Sequence, residues 1–255
     1  MFANFIEVLL LSFVQGISEF IPVSSSAHLF LISQIYHFKY QTLTLDISLH
    51  LGSLLAIIFY FRKDLLNILN NRKLFLLIII GSLPLIICGF LVLKTGMINN
   101  FRNMEVIAWT TFIFAILLYI ADKVEVKKKL EANIDLKSII IIGLFQIFAL
   151  IPGVSRSGIV LTAARFINFN RYDSTKISFY LSIPAIAGAS FLGLKDISNQ
   201  NIEINFLIFL SVFLSFIFSY LTVKYFLIFV KNFSLNTFVF YRIILALILF
   251  YIIYL

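Results

Sequence analysis

Two short polar stretches interrupt long apolar runs in this chain, and they gather the side chains best suited to chemistry. The first runs Gln15-Gly16-Ile17-Ser18-Glu19-Phe20-Ile21-Pro22-Val23-Ser24-Ser25-Ser26-Ala27-His28. The second runs Pro152-Gly153-Val154-Ser155-Arg156-Ser157-Gly158. On helical limbs, Gln15 and Glu19 share a face at i, i+4, Ser24 and His28 do the same, and Ser25 and His28 meet at i, i+3. A serine near an imidazole is a nucleophile–base arrangement. A carboxylate beside a diphosphate is a natural ligand for Mg²⁺ or Ca²⁺, which makes Glu19 the candidate metal residue. Arg156 presents a fixed fork of donors that suits phosphate oxygens. Gln15, Glu19, Ser24, Ser25, Ser26, His28 and Arg156 thus have the parts for metal-assisted phosphoryl transfer.

Each stretch reads as a break between two half-helices. The first N–H groups after a break lack intrahelical partners and carry the positive end of the helix dipole. Serines there can cap the start and also face a ligand. Two such starts pointing at each other form an anion site. A lone arginine at this depth costs at least ~2.5–3.5 kcal/mol, so Arg156 needs an anionic partner, either Glu19 or a phosphate. Plainer readings stand beside these. His28 is equally compatible with a hydrogen-bonded interface histidine, the serines with caps alone, and Glu19 with a structural ion pair to Arg156. Asp46 and His50, also at i, i+4, could bind metal, but they read more simply as decoration at the outer end of a span.

The elements that must position these groups are membrane helices. Of the 255 residues, 61% are hydrophobic and 13% charged, and the mean hydropathy is +1.04. A soluble domain cannot hide that much apolar surface. The runs lack the alternation of a lumen-lined barrel, which leaves helices. Met1–Leu11 has no basic n-region, so the start does not read as a cleavable signal. Cys88 is the single cysteine and cannot form an intrachain disulfide. The net charge of +8 falls in short loops, which points to membrane orientation rather than nucleic acid.

Six segments read as full spans: Asp46–Phe61, Leu74–Leu93, Glu105–Ala121, Ile177–Leu194, Phe206–Val223 and Phe238–Tyr254. Phe2–Tyr36 and Ser138–Asn168 each hold a break, and their limbs are short against ~20 residues per crossing. Both are expected as re-entrant hairpins, surrounded by protein or a wet cavity. The basic loop residues divide thirteen against four, with Arg62, Lys63, Arg72, Lys73, Lys123, Lys127, Lys128, Lys129, Lys137, Arg171, Lys176, Lys224 and Lys231 on one side and Lys39, Lys94, Arg102 and Lys195 on the other. The richer side is cytoplasmic by the positive-inside rule, which puts both termini outside. The breaks lie about 130 residues apart, each preceded by a glutamine, Gln15 and Gln146, and each followed by three spans. An odd number of spans inverts the second half. The expected fold is therefore an all-α polytopic membrane protein with an inverted-topology repeat, one re-entrant hairpin plus three spans in each half. The chain divides as a single membrane domain, 1–255, into repeats 1–121 and 138–255 joined by a charged, solvated cytoplasmic linker, 122–137.

At the two breaks the sequence resembles the undecaprenyl-diphosphate phosphatases of the bacitracin-resistance type. Gln15–His28 looks like their first signature and Pro152–Gly158 like their second, and length and span pattern fit over essentially the whole chain. The resemblance implies hydrolysis of undecaprenyl diphosphate to the monophosphate, recycling a carrier lipid for peptidoglycan and other envelope polymers. It implies a divalent cation and a site in the bacterial inner membrane, open toward the outer face. By this resemblance Glu19 is the essential carboxylate, Ser25 the nucleophile, His28 its acid–base partner and Arg156 the phosphate clamp, while Ser24, Ser26, Ser155 and Ser157 line the phosphate site. Gln15 departs from a frequent glutamate, which concentrates the anionic role on Glu19. Ala27 replaces a common glycine.

Two other functions use the same anion site: a polyprenyl-phosphate transporter or flippase, and a partner of the cell-wall machinery. The Ser25, His28 and Glu19 set favours chemistry, since binding alone needs no nucleophile. The lipid route, the metal, the covalent or direct nature of the attack and the oligomeric state, a homodimer included, stay open at this level.

Overall fold

A computed structural model describes residues 2–36, 38, 42–97, 101–130, 134–193 and 202–254. Among these, regular structure consists of eleven α-helices, one 3₁₀ turn and an isolated bridge between Lys128 and Phe169. In chain order the helices are α1 (Phe2–Ser18), α2 (Ser25–Tyr36), α3 (Leu43–Tyr60), α4 (Arg62–Asn70), α5 (Arg72–Thr95) and α6 (Met104–Asp122). They continue with α7 (Leu136–Gln146), the 3₁₀ turn (Ile147–Leu150), α8 (Arg156–Phe166), α9 (Arg171–Gly193), α10 (Ile202–Asn232) and α11 (Asn236–Tyr254).

Among the described residues, five helices are long and apolar enough to cross a bilayer: α3, α5, α6, α10 and α11. The chain is a multi-pass helical membrane protein. The segment expected as a sixth span, Ile177–Leu194, lies in α9, with Leu194 outside the described residues. At 1.5 Å per residue α9 is about 34 Å long, enough to cross, but it is less apolar than the five. Burial accounts for the difference. From Arg171 to Ser190 only Ala189 is exposed, so Ser174, Thr175, Ser178 and Ser182 face protein rather than lipid.

Two other expectations change. The basic segment after α3 is not a simple loop: Arg62–Asn70 forms α4, which sinks Ile68 into the core and leaves Leu66 and Leu69 exposed, as a short amphipathic helix at an interface does. The charged linker is also not solvated throughout. Asp122 is buried, takes a two-toothed bond from Arg171 at 2.6 and 2.9 Å, and accepts the Leu235 N–H at 3.1 Å. A buried carboxylate holds its charge only with such partners. Lys39 and Lys195 of the charge tally lie outside the described residues.

Helix ends follow ordinary capping chemistry. Thr42, Asn71, Asn103 and Asp135 each accept a main-chain N–H at the starts of α3, α5, α6 and α7. Gly96, at φ 69°, ends α5 in the left-handed conformation. Packing relies on small residues, as between helices in lipid. Ser215 joins α10 to α3 through the Leu49 carbonyl at 2.6 Å, and Ser219 donates to Ser53 at 2.9 Å. A Cβ on Gly143 would lie 2.5 Å from the Gly81 carbonyl, so α7 and α5 meet there backbone to backbone.

The core runs through the middle of the molecule and takes in residues of both breaks. Phe20 of the first and Val154 of the second are fully buried, in one cluster with Ile57, Phe61, Ile142, Ile159 and Phe179. Irregular backbone here is enclosed by protein, the condition under which it survives at membrane depth.

Candidate active site

The first break lies between the end of α1 at Ser18 and the start of α2 at Ser25. Pro22 removes a donor that a continuous helix would need. Ser24 then takes φ 81°, a conformation disfavoured for a residue with a side chain. The second break runs from the 3₁₀ turn to the start of α8. Gly153 sits at φ 90°, and a Cβ there would lie 2.9 Å from the Ile107 carbonyl, so both conformation and space demand glycine. Ser155 follows at φ 71° and caps α8, accepting the Gly158 N–H at 3.1 Å. Strained serines thus lead into α2 and α8 alike. Such strain is worth of order 1–3 kcal/mol and persists only where surroundings enforce it.

The breaks meet at Glu19. Arg156 Nη2 donates to Glu19 Oε1 at 2.7 Å. Ser25 Oγ donates to Oε2 at 2.6 Å, and Gln15 Nε2 reaches the same oxygen at 2.9 Å. The Glu19 side chain is only 6% exposed, so these three donors are what holds its charge away from water. A second tie joins the breaks directly, from Ser157 Oγ to the Ile21 carbonyl at 2.7 Å. Each break also carries a pair of hydroxyls two residues apart, Ser24 with Ser26 at 3.4 Å and Ser155 with Ser157 at 3.1 Å.

A cavity of about 750 Å³ opens above this cluster. Its polar floor is Ser18, Glu19, Ser24, Ser25, Ser26, His50, Ser155 and Arg156. Its walls are apolar, from Leu85 to Leu93 of α5 and from Ala185 to Ala189 of α9. Arg156 Nη1 is buried with no hydrogen-bond partner, leaving a donor group of the guanidinium unused beside the cavity.

The structure brings Gln15, Glu19, Ser24, Ser25, Ser26, Ser155, Arg156 and Ser157 together, as expected from the motifs. It does not pair Ser25 with His28. Spacing along one helix suggested that pair, but the break folds Glu19 back onto Ser25 first. His28 instead places Nδ1 2.6 Å from the Ser24 carbonyl, and Nε2 against the Tyr241 hydroxyl. His28 and Tyr241 stack at 5.7 Å between ring centroids. Neither lines the cavity.

His50 reads from its spacing as decoration at a span end, yet its Nε2 lies 3.7 Å from Glu19 Oε2 and it lines the cavity. Its Nδ1 sits 2.8 Å from the Asp46 carbonyl, not on a carboxylate. The i, i+4 spacing was visible; the inward turn of α3 was not. The motifs also miss Arg242, a charge inside an apolar span and so a functional candidate by default.

At the cavity floor Glu19 is the residue chemically suited to a divalent cation. Among the described residues no group of three or more His, Cys, Asp and Glu side chains is placed to hold one. Glu19 is nevertheless a hard-oxygen ligand, and Gln15 Oε1 is a buried acceptor with no donor. Mg²⁺ commonly takes one or two protein oxygens and completes its shell with water and phosphate.

The family described as bacitracin resistance protein BacA matches residues 8–248 of the chain. The chain is 58% identical to an undecaprenyl-diphosphatase of Pelagibacter ubique over 255 residues, covering 100% of both chains. It is 42% identical to one from Elusimicrobium minutum over 253 residues, 96% of each chain, and 37% identical to one from Alcanivorax borkumensis over 257 residues, 95% of this chain and 97% of that one. A buried carboxylate shared by two matched helix breaks, and a match that spans both breaks, place this chain in the bacitracin resistance protein BacA family.

Proposed function

We propose that this chain hydrolyses undecaprenyl diphosphate to undecaprenyl phosphate and inorganic phosphate, recycling the carrier lipid and supporting resistance to bacitracin. The observation that carries the reading is the convergence of Ser25 and Arg156 on Glu19 at the floor of an apolar-walled cavity. A diphosphate suits the floor and a polyprenyl chain suits the walls. The names of the relatives support the same substrate.

In this reading Glu19 is the base and Ser25 the nucleophile. The Ser25 hydroxyl already donates to Glu19 Oε2, so its proton passes there as Oγ bonds to the terminal phosphorus. The bond from phosphorus to the bridging oxygen breaks, and the lipid monophosphate leaves. Water then attacks the phosphoserine, the bond from phosphorus to Ser25 Oγ breaks, Glu19 returns its proton to Oγ, and phosphate is released. Arg156 turns its spare donors to the phosphate oxygens, with the N–H groups that open α2 and α8. Glu19 and Gln15 Oε1 would hold Mg²⁺ or Ca²⁺. A cation bound there draws charge from the phosphate oxygens. Ser24, Ser26 and Ser155 line the phosphate, Ser157 ties the breaks, and His28 supports the turn at Ser24.

The fold in this reading is an inverted repeat with two re-entrant hairpins in the inner membrane. Ser24 and Ser155, the two serines at positive φ that precede helix starts, lie 131 residues apart. The same offset relates α3 to α9, α5 to α10 and α6 to α11. With 12 and 11 residues, α2 and α8 reach about 18 and 16 Å, roughly half of a ~30 Å hydrocarbon core. The cavity lies in the halves of α5 and α9 distant from Arg72, Lys73, Arg171 and Lys176. By the positive-inside rule it opens outward.

The test is phosphate release from undecaprenyl diphosphate by purified protein in detergent with Mg²⁺ or Ca²⁺. One phosphate per lipid, with undecaprenyl phosphate as the product, is expected. No release with either cation would refute the enzyme.

A further inference from the structure

Arg242 is a buried charge that the proposed chemistry leaves unused. It lies in α11 with 1% exposure, the bulkiest of the fully buried side chains. Its guanidinium makes four hydrogen bonds, all to main-chain carbonyls. Nη1 reaches Pro22 at 3.2 Å and Val154 at 3.1 Å, Nη2 reaches Gly153 at 2.9 Å, and Nε reaches Thr111 at 3.3 Å. Pro22 belongs to the first break, Gly153 and Val154 to the second, and Thr111 to α6. One side chain on the last helix therefore grips both breaks just ahead of Ser24 and Ser155. A Cβ on Gly158 would sit 3.2 Å from Nη1, so the guanidinium also packs on the first turn of α8.

These contacts have two physical consequences. Carbonyls drawn to α11 are held away from the cavity, which leaves the N–H ends of α2 and α8 to face it. The strained serines that follow are then fixed from behind, as such conformations require. None of the four partners is a carboxylate, so among the described residues the positive charge is met by carbonyl dipoles. A buried arginine in that state favours an anion nearby.

We propose that Arg242 is a positioning residue of the phosphate site: it holds the carbonyls of both breaks toward α11, so that the N–H starts of α2 and α8 converge on a diphosphate. The inference rests on the phosphatase reading and deepens it. Lysine cannot replace this arginine, because one ammonium lacks the planar fork that serves four carbonyls at once.

The test compares Arg242→Lys, Arg242→Met and a packing control on the same helix, Leu249→Ala, which loses core contacts with Ala27, Ile107 and Ala108. Purified proteins are assayed for melting temperature, for stabilisation by inorganic pyrophosphate and for phosphate release from the lipid diphosphate. All three variants are expected to melt below wild type. Arg242→Lys loses about tenfold in kcat and Arg242→Met about a hundredfold, the size of one lost anion-stabilising group. Pyrophosphate stabilisation weakens in the first and vanishes in the second, while Leu249→Ala keeps the wild-type kcat and stabilisation. Should Arg242→Met fail to fold, Arg242→Lys carries the comparison. Equal kcat and equal pyrophosphate stabilisation in Arg242→Lys and Leu249→Ala would overturn the proposal. A wild-type protein that is stabilised by pyrophosphate but releases no phosphate would refute the phosphatase instead, and the pyrophosphate comparison would still decide Arg242.

Discussion

The two helix breaks share a backbone design and differ in chemistry. Both are preceded by a glutamine, both turn at a serine with positive φ, and both open a short helix with hydroxyls two residues apart. At the 131-residue offset Ser25 corresponds to Arg156, and both bond Glu19. Glu19 itself corresponds to Leu150, which lines the cavity as an apolar wall. Gln15 donates to Glu19, whereas Gln146 is fully buried with neither amide atom hydrogen-bonded. One carboxylate thus distinguishes the first break from the second. In the proposed reaction the shared backbone offers two helix starts to the phosphate, and Glu19 and Ser25 make the first of them the reactive one.

Substitutions can break that division. Removing the shared carboxylate or its arginine partner is expected to have the largest effect. Glu19→Gln and Arg156→Ala should each lower phosphate release by about a thousandfold or more, with the protein still eluting as a folded species, because base and charge stabilisation are lost. Ser25→Ala follows, with a loss of about a hundredfold or more and no phosphoenzyme trapped by rapid acid quench. If Ser25→Ala keeps near-normal release, water attacks directly and the serine only orients Glu19.

Smaller effects sharpen the contrast between the glutamines. Gln15→Leu is expected to cost about tenfold in kcat/KM, since one donor to Glu19 is lost. Gln146→Leu should stay within about twofold of wild type and melt no lower, because replacing an unbonded buried amide with an apolar group is neutral or stabilising. A large activity loss from Gln146→Leu would erase the difference between the breaks. His28→Gln should lose less than about tenfold, as His28 bonds the Ser24 carbonyl and Tyr241 rather than Ser25.

Much of this was legible in the sequence. Proline, glycine and serine inside apolar runs mark the breaks, and a charge at membrane depth demands a partner, so Glu19 and Arg156 point to each other across 137 residues. What failed was reading a pair from spacing alone. Ser25 and His28 do lie one turn apart at the start of α2, but the turn at Phe20–Ser24 brings Glu19 to Ser25, and His28 bonds the Ser24 carbonyl and Tyr241 instead. His50 was hidden because its relation to Asp46 says nothing about which side of α3 faces the breaks. The same rule that singled out Arg156 applied to Arg242, whose four carbonyl partners lie far away in sequence. The polar content of α9 lowers its apolarity because neighbouring helices, rather than lipid, surround it.

The central claim is that the two breaks form one site through Glu19. A double-mutant cycle tests it most directly, with phosphate release measured under single turnover for Ser25→Ala, Arg156→Lys and the double variant. Groups that act as one unit give strongly non-additive losses. The account predicts that the double variant loses far less than the product of the single losses. A double loss equal to that product within about twofold would mean that the breaks act independently, and would contradict a shared site.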